Sequence, residues 1–267
     1  MKICLVNYGS GRFWFWQKVQ NLSARVFGIR NIHSWDRKRL KQTEFYEQNK
    51  GILDMERGGG YWLWKPFIIL DSLHRMEDGD VVMYMDSGMT LVRKPTPLIK
   101  ICLENGGFFC LKGAYIQGAW TKRDCFVYMN CDQKKYWEAE QCGGGLLVLQ
   151  KSKTTVAFVQ EWLRYCCEKE LITNMPNSCG LPNLEIFREH RHDQSILTNL
   201  LVKYQIPCFK APWMESRNHP LPSLSEYEKK LSQTYGVIAV LHRGKPGKMI
   251  RIRLICYLKC LRRRVNC

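Results

Sequence analysis

The stretch Asp80-Val81-Val82-Met83-Tyr84-Met85-Asp86-Ser87-Gly88 constrains the chain more than any other. It is an apolar run of strand length with a carboxylate at each end. Val81 to Tyr84 offer no polar face, which predicts a strand covered on both sides, as in a parallel sheet. Open α/β sheets bind ligands outside the C-terminal ends of their strands. Asp86 therefore stands where a carboxylate could hold a divalent cation. Ser87 could hydrogen-bond a ligand there, and Gly88 could let backbone approach closely. Asp-Ser-Gly is also a common turn, and the stretch alone does not separate the two readings.

At 267 residues and 31.5 kDa, with 45% hydrophobic and 12% aromatic residues, the chain can build one large core and is not disordered. Thirteen cysteines would suit a disulfide framework, but the count is odd, no CxxC pair occurs and no signal-peptide core follows Met1-Lys2. Reduced cysteines in a cytosolic compartment are expected, with Cys4, Cys102, Cys110 and Cys208 acting as small hydrophobes. A structural zinc site is not expected. No run of eighteen apolar residues is present, so no membrane span is predicted.

Taken in order, Lys2 to Val6 reads as a first buried strand. Asn7-Tyr8-Gly9-Ser10-Gly11 follows as a glycine loop, then a helix over Trp14 to Leu22. The full dinucleotide fingerprint is absent. Val26 to Ile29 is a candidate second strand, Ser34 to Lys50 is helix-compatible, and Gly58-Gly59-Gly60 is expected to be a flexible joint. Pro66 suits the start of a helix running to Met76, with Lys65 placed to meet a phosphate at that helix end. Gly107 to Leu111 and Leu146 to Leu149 read as strands, and Lys122 to Asn130 as a helix. The residues after Ser152 form a long helix with apolar positions near period 3.6. Asn174 to Leu184 is a loop. Asp193 opens another helix, where it could be a simple cap. His192 before it is expected to be exposed. Tyr204 to Phe209 and Val237 to Leu241 are late strands, the last ending in His242. Strands alternating with helices predict an α/β domain with a mostly parallel central sheet.

Three groups of polar residues follow predicted strands: Asn7-Tyr8-Gly9, Asp86-Ser87-Gly88 and His242. Asp86 and His242 offer O and N ligands for Mn²⁺ or Mg²⁺, ions that commonly complete their shell with substrate phosphates. In order and spacing these residues resemble the GT-A glycosyltransferases, above all the glycogenin and lipooligosaccharide galactosyltransferase group. The aromatic stretch Tyr61 to Pro66 is similar to that of bacterial and large-DNA-virus glycan-building enzymes. The resemblance covers Met1 to about Gly247. It implies a single GT-A (Rossmann-like) domain over residues 1–248. It also implies a donor site at Asn7, Tyr8, Gly9, Lys65, Asp86, Ser87, Gly88 and Lys245. Lys65 resembles the donor-contacting base, and Asp86-Ser87-Gly88 resembles a DxD motif whose second Asp is Gly88. Gly143-Gly144-Gly145 resembles the small-residue segment under the donor sugar. Asp193-Gln194 resembles the DQ pair that opens a helix facing the sugar. His242-Arg243-Gly244-Lys245-Pro246 is a shortened relative of HxxGxxKP. On that resemblance Asp193 and Gln194 are the catalytic candidates, Gly143, Gly144 and His192 line the sugar and acceptor side, and Asp86 and His242 are the metal candidates. The expected activity is metal-assisted transfer of a hexose from a UDP- or GDP-linked sugar to a glycan or lipid-linked glycan, retaining or inverting.

The formal net charge is +17. Nine basic residues and no acid lie between Arg243 and Cys267, so much of the excess sits in the last tenth of the chain. Residues 249–267 mix Arg and Lys with Ile250, Ile252, Leu254, Ile255, Tyr257 and Leu258, a pattern suited to an anionic membrane surface or to a solvated tail. A cytoplasmic protein, peripheral on the inner face of a membrane, is the expected setting. A nucleic-acid-binding protein is the alternative prompted by charge, but it lacks a recognised motif, and no nucleic-acid partner is expected. A nucleotidyltransferase would need a basic glycine loop near the N-terminus that is absent.

Overall fold

The computed structural model describes residues 1–210, 214–215 and 238–241. Its strands are β1 (Ile3–Tyr8), β2 (Asn31–Trp35), β3 (Val81–Met85), β4 (Met89–Leu91), β5 (Phe108–Ile116), β6 (Glu140–Gln150), β7 (Cys208–Phe209), β8 (Met214–Glu215) and β9 (Ala239–Leu241). Six of them form the central sheet in the order β2-β1-β3-β6-β5-β7, and β4-β9-β8 form a small second sheet. The fold is α/β, as the alternation of elements predicts.

The sheet is mixed. β1 pairs parallel with β2 and β3, and β5 pairs parallel with β7. β6 runs antiparallel to both of its neighbours. From β1 the chain crosses to β2 on one side and returns to β3 on the other, so the C-terminal ends of β1 and β3 flank a topological switch point.

Alternating side chains feed two cores. Cys4, Val6, Tyr8, Val82 and Tyr84 face one core with the helices Trp64–His74, Lys153–Cys166 and Asp193–Lys203. Leu5, Val81, Met83 and Met85 face the other, which includes Ala24 of the helix Phe13–Val26 and Leu98, Ile99, Ile101 and Cys102 of the helix Thr96–Glu104. All five residues of β3 are buried, as their apolar run predicts. Ten described cysteines are free thiols, most of them within these cores. No described helix is long and apolar enough to cross a membrane.

Several boundaries differ from the sequence expectations. Val26 ends the first helix, and the second strand begins at Asn31, because β1 draws Asn31 to Trp35 into a parallel ladder. The segment Ser34 to Lys50 is strand end and short helices rather than one helix. Only Cys208 and Phe209 of the span Tyr204 to Phe209 are extended. β9 belongs to the small sheet, where Leu241 pairs with Met89, rather than to the central one. His242 and the tail 249–267 lie outside the described residues.

Gly58-Gly59-Gly60 is not a loose joint. These glycines, Tyr61 and Trp62 form five successive residues at positive φ. Gly60 is buried, and a Cβ there would sit 2.5 Å from Leu53 Cα. At Gly59 a Cβ would meet only Trp64 Nε1, at 3.8 Å. The left-handed conformation costs an L-residue roughly 1–2 kcal/mol. Gly59→Ala should therefore lower unfolding free energy by about 1–2 kcal/mol, and Gly60→Ala by clearly more, about 3 kcal/mol or above, since a clash adds to the backbone cost. Denaturant unfolding of both variants checks this; equal losses would contradict the close packing of Gly60 on Leu53.

Candidate active site

The C-terminal edge of β1 and β3 carries a cluster of charge. Lys65, in the first turn of the helix Trp64–His74, is only 6% exposed at its side chain. Its Nζ lies 2.8 Å from Asp193 Oδ2, donates to the Gly144 carbonyl at 3.1 Å and lies 4.0 Å from Asp86 Oδ1. It also sits 5.4 Å from the centre of the Tyr84 ring. Burial alone would lower the ammonium's pKa, but Asp193 and then Asp86 outweigh it, and the net shift is upward. Burial raises the Asp193 carboxyl to about 6, with Lys65 limiting the rise. At neutral pH both members of the pair are charged. Lys65 is thus engaged by carboxylates and not held out for a phosphate.

Asp86 is the open end of the cluster, with its side chain 44% exposed. The Tyr84 hydroxyl donates to Asp86 Oδ1 at 2.6 Å. Burial, reinforced by the Asp86 charge, keeps the Tyr84 phenol well above its ordinary range, so it stays protonated and remains a donor. Tyr84 reaches Asp86 because residues two apart on a strand share a face.

The glycines enter through the reversed direction of β6. Its early residues lie beside the end of β3: Met85 pairs with Leu146, and the Asp86 N–H donates to the Gly145 carbonyl at 2.8 Å. A Cβ on Gly144 would lie 3.4 Å from Lys65 Nζ and 3.7 Å from Asp193 Oδ2. One on Gly145 would lie 3.0 Å from Asp86 Oδ2 and 2.8 Å from Met89 Cε. None of these three glycines is at positive φ, so what they supply is space. Gly143 packs on Leu111, away from the charges.

Asp193 opens the helix Asp193–Lys203, but that helix has no side-chain cap, and the carboxylate is committed to Lys65. The Trp162 indole donates to the Asp193 carbonyl at 3.0 Å and fixes the helix start. Gln194 is half-buried and donates to Gln141 Oε1 at 2.9 Å.

His192 is buried, contrary to the exposed position expected for it. Arg57 Nε donates to its Nε2 at 2.8 Å, so Nε2 is unprotonated and Nδ1 donates to the Ile172 carbonyl at 2.7 Å. Burial lowers its pKa to about 4. Both ring nitrogens are used, so the ring braces the strained segment, stacked on Trp62 and tilted against Tyr61.

Asn7 is fully buried as well. Its amide donates to Gln20 and Asn21 and accepts from Gln17, and Gln20 in turn donates to the Asp86 carbonyl at 2.8 Å. Asn7 therefore positions Asp86 through Gln20, and its side chain is not held out for a ligand. The Tyr8 ring stacks on Trp64 at 4.0 Å, and its carbonyl accepts from the Ser87 hydroxyl. The Gly9 N–H is bonded to the Trp35 carbonyl, and a Cβ on Gly9 would strike Gln17. Gly88 stands between the turn at Asp86 and β4.

Lys245 and the metal candidate His242 lie outside the described residues. Among the described residues no three of His, Cys, Asp or Glu come together to hold a metal ion. Asp86 shares one oxygen with Tyr84 and faces an ammonium 4.0 Å away, and Gly88 supplies no ligand. The described side chains do not by themselves fit a protein-built Mn²⁺ or Mg²⁺ site.

Tyr84, Gln20, Gln141, Arg57 and Trp162 belong to the site or its support and carry no site role in the sequence reading. Tyr84, two residues before Asp86 on one strand, is the one that strand periodicity could have identified. The others act through contacts remote in sequence.

No family model and no curated protein sequence matches the chain. Solved structures do resemble it. WbbM, described as a bifunctional glycosyltransferase, is 11% identical over 92% of this chain with a TM-score of 0.49, and the match covers 46% of WbbM, under half its length. An active-site mutant of LgtC is 12% identical over 91% of this chain and 88% of its own, with a TM-score of 0.48. Mouse xyloside xylosyltransferase 1 is 10% identical over 91% of this chain and 97% of its own, also at 0.48.

The buried pair should show strong energetic coupling. Lys65→Met strands Asp193 and Asp193→Leu strands Lys65, each at roughly 3–5 kcal/mol. The double variant should recover part of that loss, leaving a coupling of about 1 kcal/mol or more in a double-mutant cycle of unfolding free energies. Additive losses would show that the two charges do not depend on each other.

Proposed function

We propose that the chain is a glycosyltransferase of GT-A type that moves a sugar from a nucleoside-diphosphate sugar to a glycan hydroxyl, with the sugar seated over Gly144 and Gly145. The observation that carries this reading is the Lys65–Asp193 pair. It is a carboxylate kept ionised at neutral pH and buried beside a surface cleared of side chains, at the switch point of an α/β sheet.

The chemistry follows from charge. Breaking the bond between the anomeric carbon and the diphosphate oxygen builds positive charge on the sugar and negative charge on the leaving group. Asp193, fixed and desolvated, stabilises the first. Lys65 keeps Asp193 ionised by opposing its burial. Gln194, held by Gln141, orients the sugar or the incoming hydroxyl. Asp86 faces the donor from the open side. Asp86 and a diphosphate repel each other, so countercharge for the phosphates has to come from beyond the described side chains.

The test is nucleoside-diphosphate release from a panel of UDP- and GDP-sugars, with Mn²⁺ or with chelator. At least one donor should be hydrolysed slowly. Asp86→Ala, a change at a half-exposed side chain, should cut that rate by about 10²-fold. Because Asp193 titrates at about 6 and acts ionised, the rate should be level above pH 7 and fall about tenfold per pH unit well below 6. A rate indifferent to Asp86→Ala and to this pH window would overturn the proposal.

A further inference from the structure

The helix Phe13–Val26 is inside out. Its buried face consists of Gln17, Gln20, Ser23 and Ala24, and the two glutamines enter the amide network under Asp86. Its apolar bulk points to solvent instead: Phe13 is 43% exposed, Trp14 53%, Phe15 53% and Leu22 45%. Trp14, Phe15, Lys18, Leu22 and Arg25 form one outward face at helical spacing, and all are exposed. Basic groups accompany the rings: the Arg12 guanidinium lies 5.0 Å from the Phe13 ring centre and Lys18 Nζ 5.3 Å from that of Trp14. The sequence holds no Asp or Glu before Asp36.

We propose that this face docks on an anionic lipid bilayer, with Trp14, Phe15 and Leu22 entering the headgroup boundary and Lys18 and Arg25 meeting lipid phosphates. Aromatic residues flanked by Lys and Arg, with no acid among them, are the composition of an interfacial helix. The charge argues against a second copy as the occupant. A two-fold contact through this face would set Lys18 and Arg25 of one copy against a face that carries the same basic residues and no acid. The helix begins at the sheet edge that bears Asp86, and its Gln20 holds the Asp86 carbonyl. Docking therefore brings the sheet edge that bears Asp86 to the bilayer surface. That corollary suits a lipid-linked acceptor and rests on the transferase reading, whereas the docking itself does not.

The experiment is co-sedimentation of the full chain with phosphatidylcholine vesicles, with and without phosphatidylglycerol, at low and high salt. Wild type should bind the anionic vesicles and keep a share of that binding in high salt. Trp14→Ser/Phe15→Ser/Leu22→Ser should lose at least about tenfold, most visibly in high salt, where attraction through basic residues alone is screened. Donor hydrolysis in solution should be unchanged in that variant. Trp14→Phe, which preserves shape, should reduce the quenching of tryptophan fluorescence by brominated lipid. The proposal is overturned if the triple variant binds like wild type, if wild type ignores anionic vesicles, if Trp14→Phe leaves quenching unchanged, or if light scattering shows a wild-type dimer that the triple variant lacks.

Discussion

Two opposite charges almost wholly removed from water set the terms for the rest of the structure. Lys65 and Asp193 are 128 positions apart in the chain and 2.8 Å apart in space. Either one alone would be destabilising at this depth by several kcal/mol. Together they remain charged, because each supplies the field that the other has lost from solvent. The pair survives only if the start of the helix Trp64–His74 and the start of the helix Asp193–Lys203 are held in register. Much of the surrounding architecture does that holding.

Its means is strained backbone locked by ring packing and hydrogen bonds. Five left-handed residues, Gly58 to Trp62, lead into Lys65, and His192, at φ 55 and ψ −122, leads into Asp193. Each such conformation in a non-glycine residue costs of order 1–3 kcal/mol and persists only where its surroundings over-determine it. The two segments over-determine each other: His192 packs on Tyr61 and Trp62, and Arg57 reaches across to Nε2. Burial keeps His192 near 4, below the carboxyl of Asp193 at about 6. Acidification to about pH 5 therefore changes the charge of Asp193 while leaving its brace neutral.

The sequence made the main parts legible and concealed how they join. An all-apolar pentapeptide identified β3, and the groups that follow it, Asp86 above all, fell at the sheet edge as expected. Lys65, Asp193 and Gly144 meet there, although composition says nothing of a contact over such separations. The direction of β6 was hidden because a strand buried on both faces has the same pattern in either sense, and only the antiparallel sense brings Gly144 and Gly145 to Asp86. Asn7 and His192 look like ligand groups in a sequence. Here each is satisfied by partners far along the chain, Asn7 by Gln17, Gln20 and Asn21, and His192 by Arg57 and Ile172. Gly58 to Gly60 read as flexible because glycine permits many conformations, and packing on Leu53 selects one of them.

The charge balance of the site also separates its two ends. Asp86, Asp193 and Lys65 sum to −1 at neutral pH, which suits a sugar that becomes cationic and not a diphosphate. Gly144 and Gly145 bring no side chains of their own, so Lys65, Asp193 and Asp86 approach the backbone of β6 closely. On the transferase proposal, a diphosphate donor would place its sugar inward by the glycines and its phosphates outward past Asp86. On that proposal the phosphates need a countercharge that the described side chains do not supply.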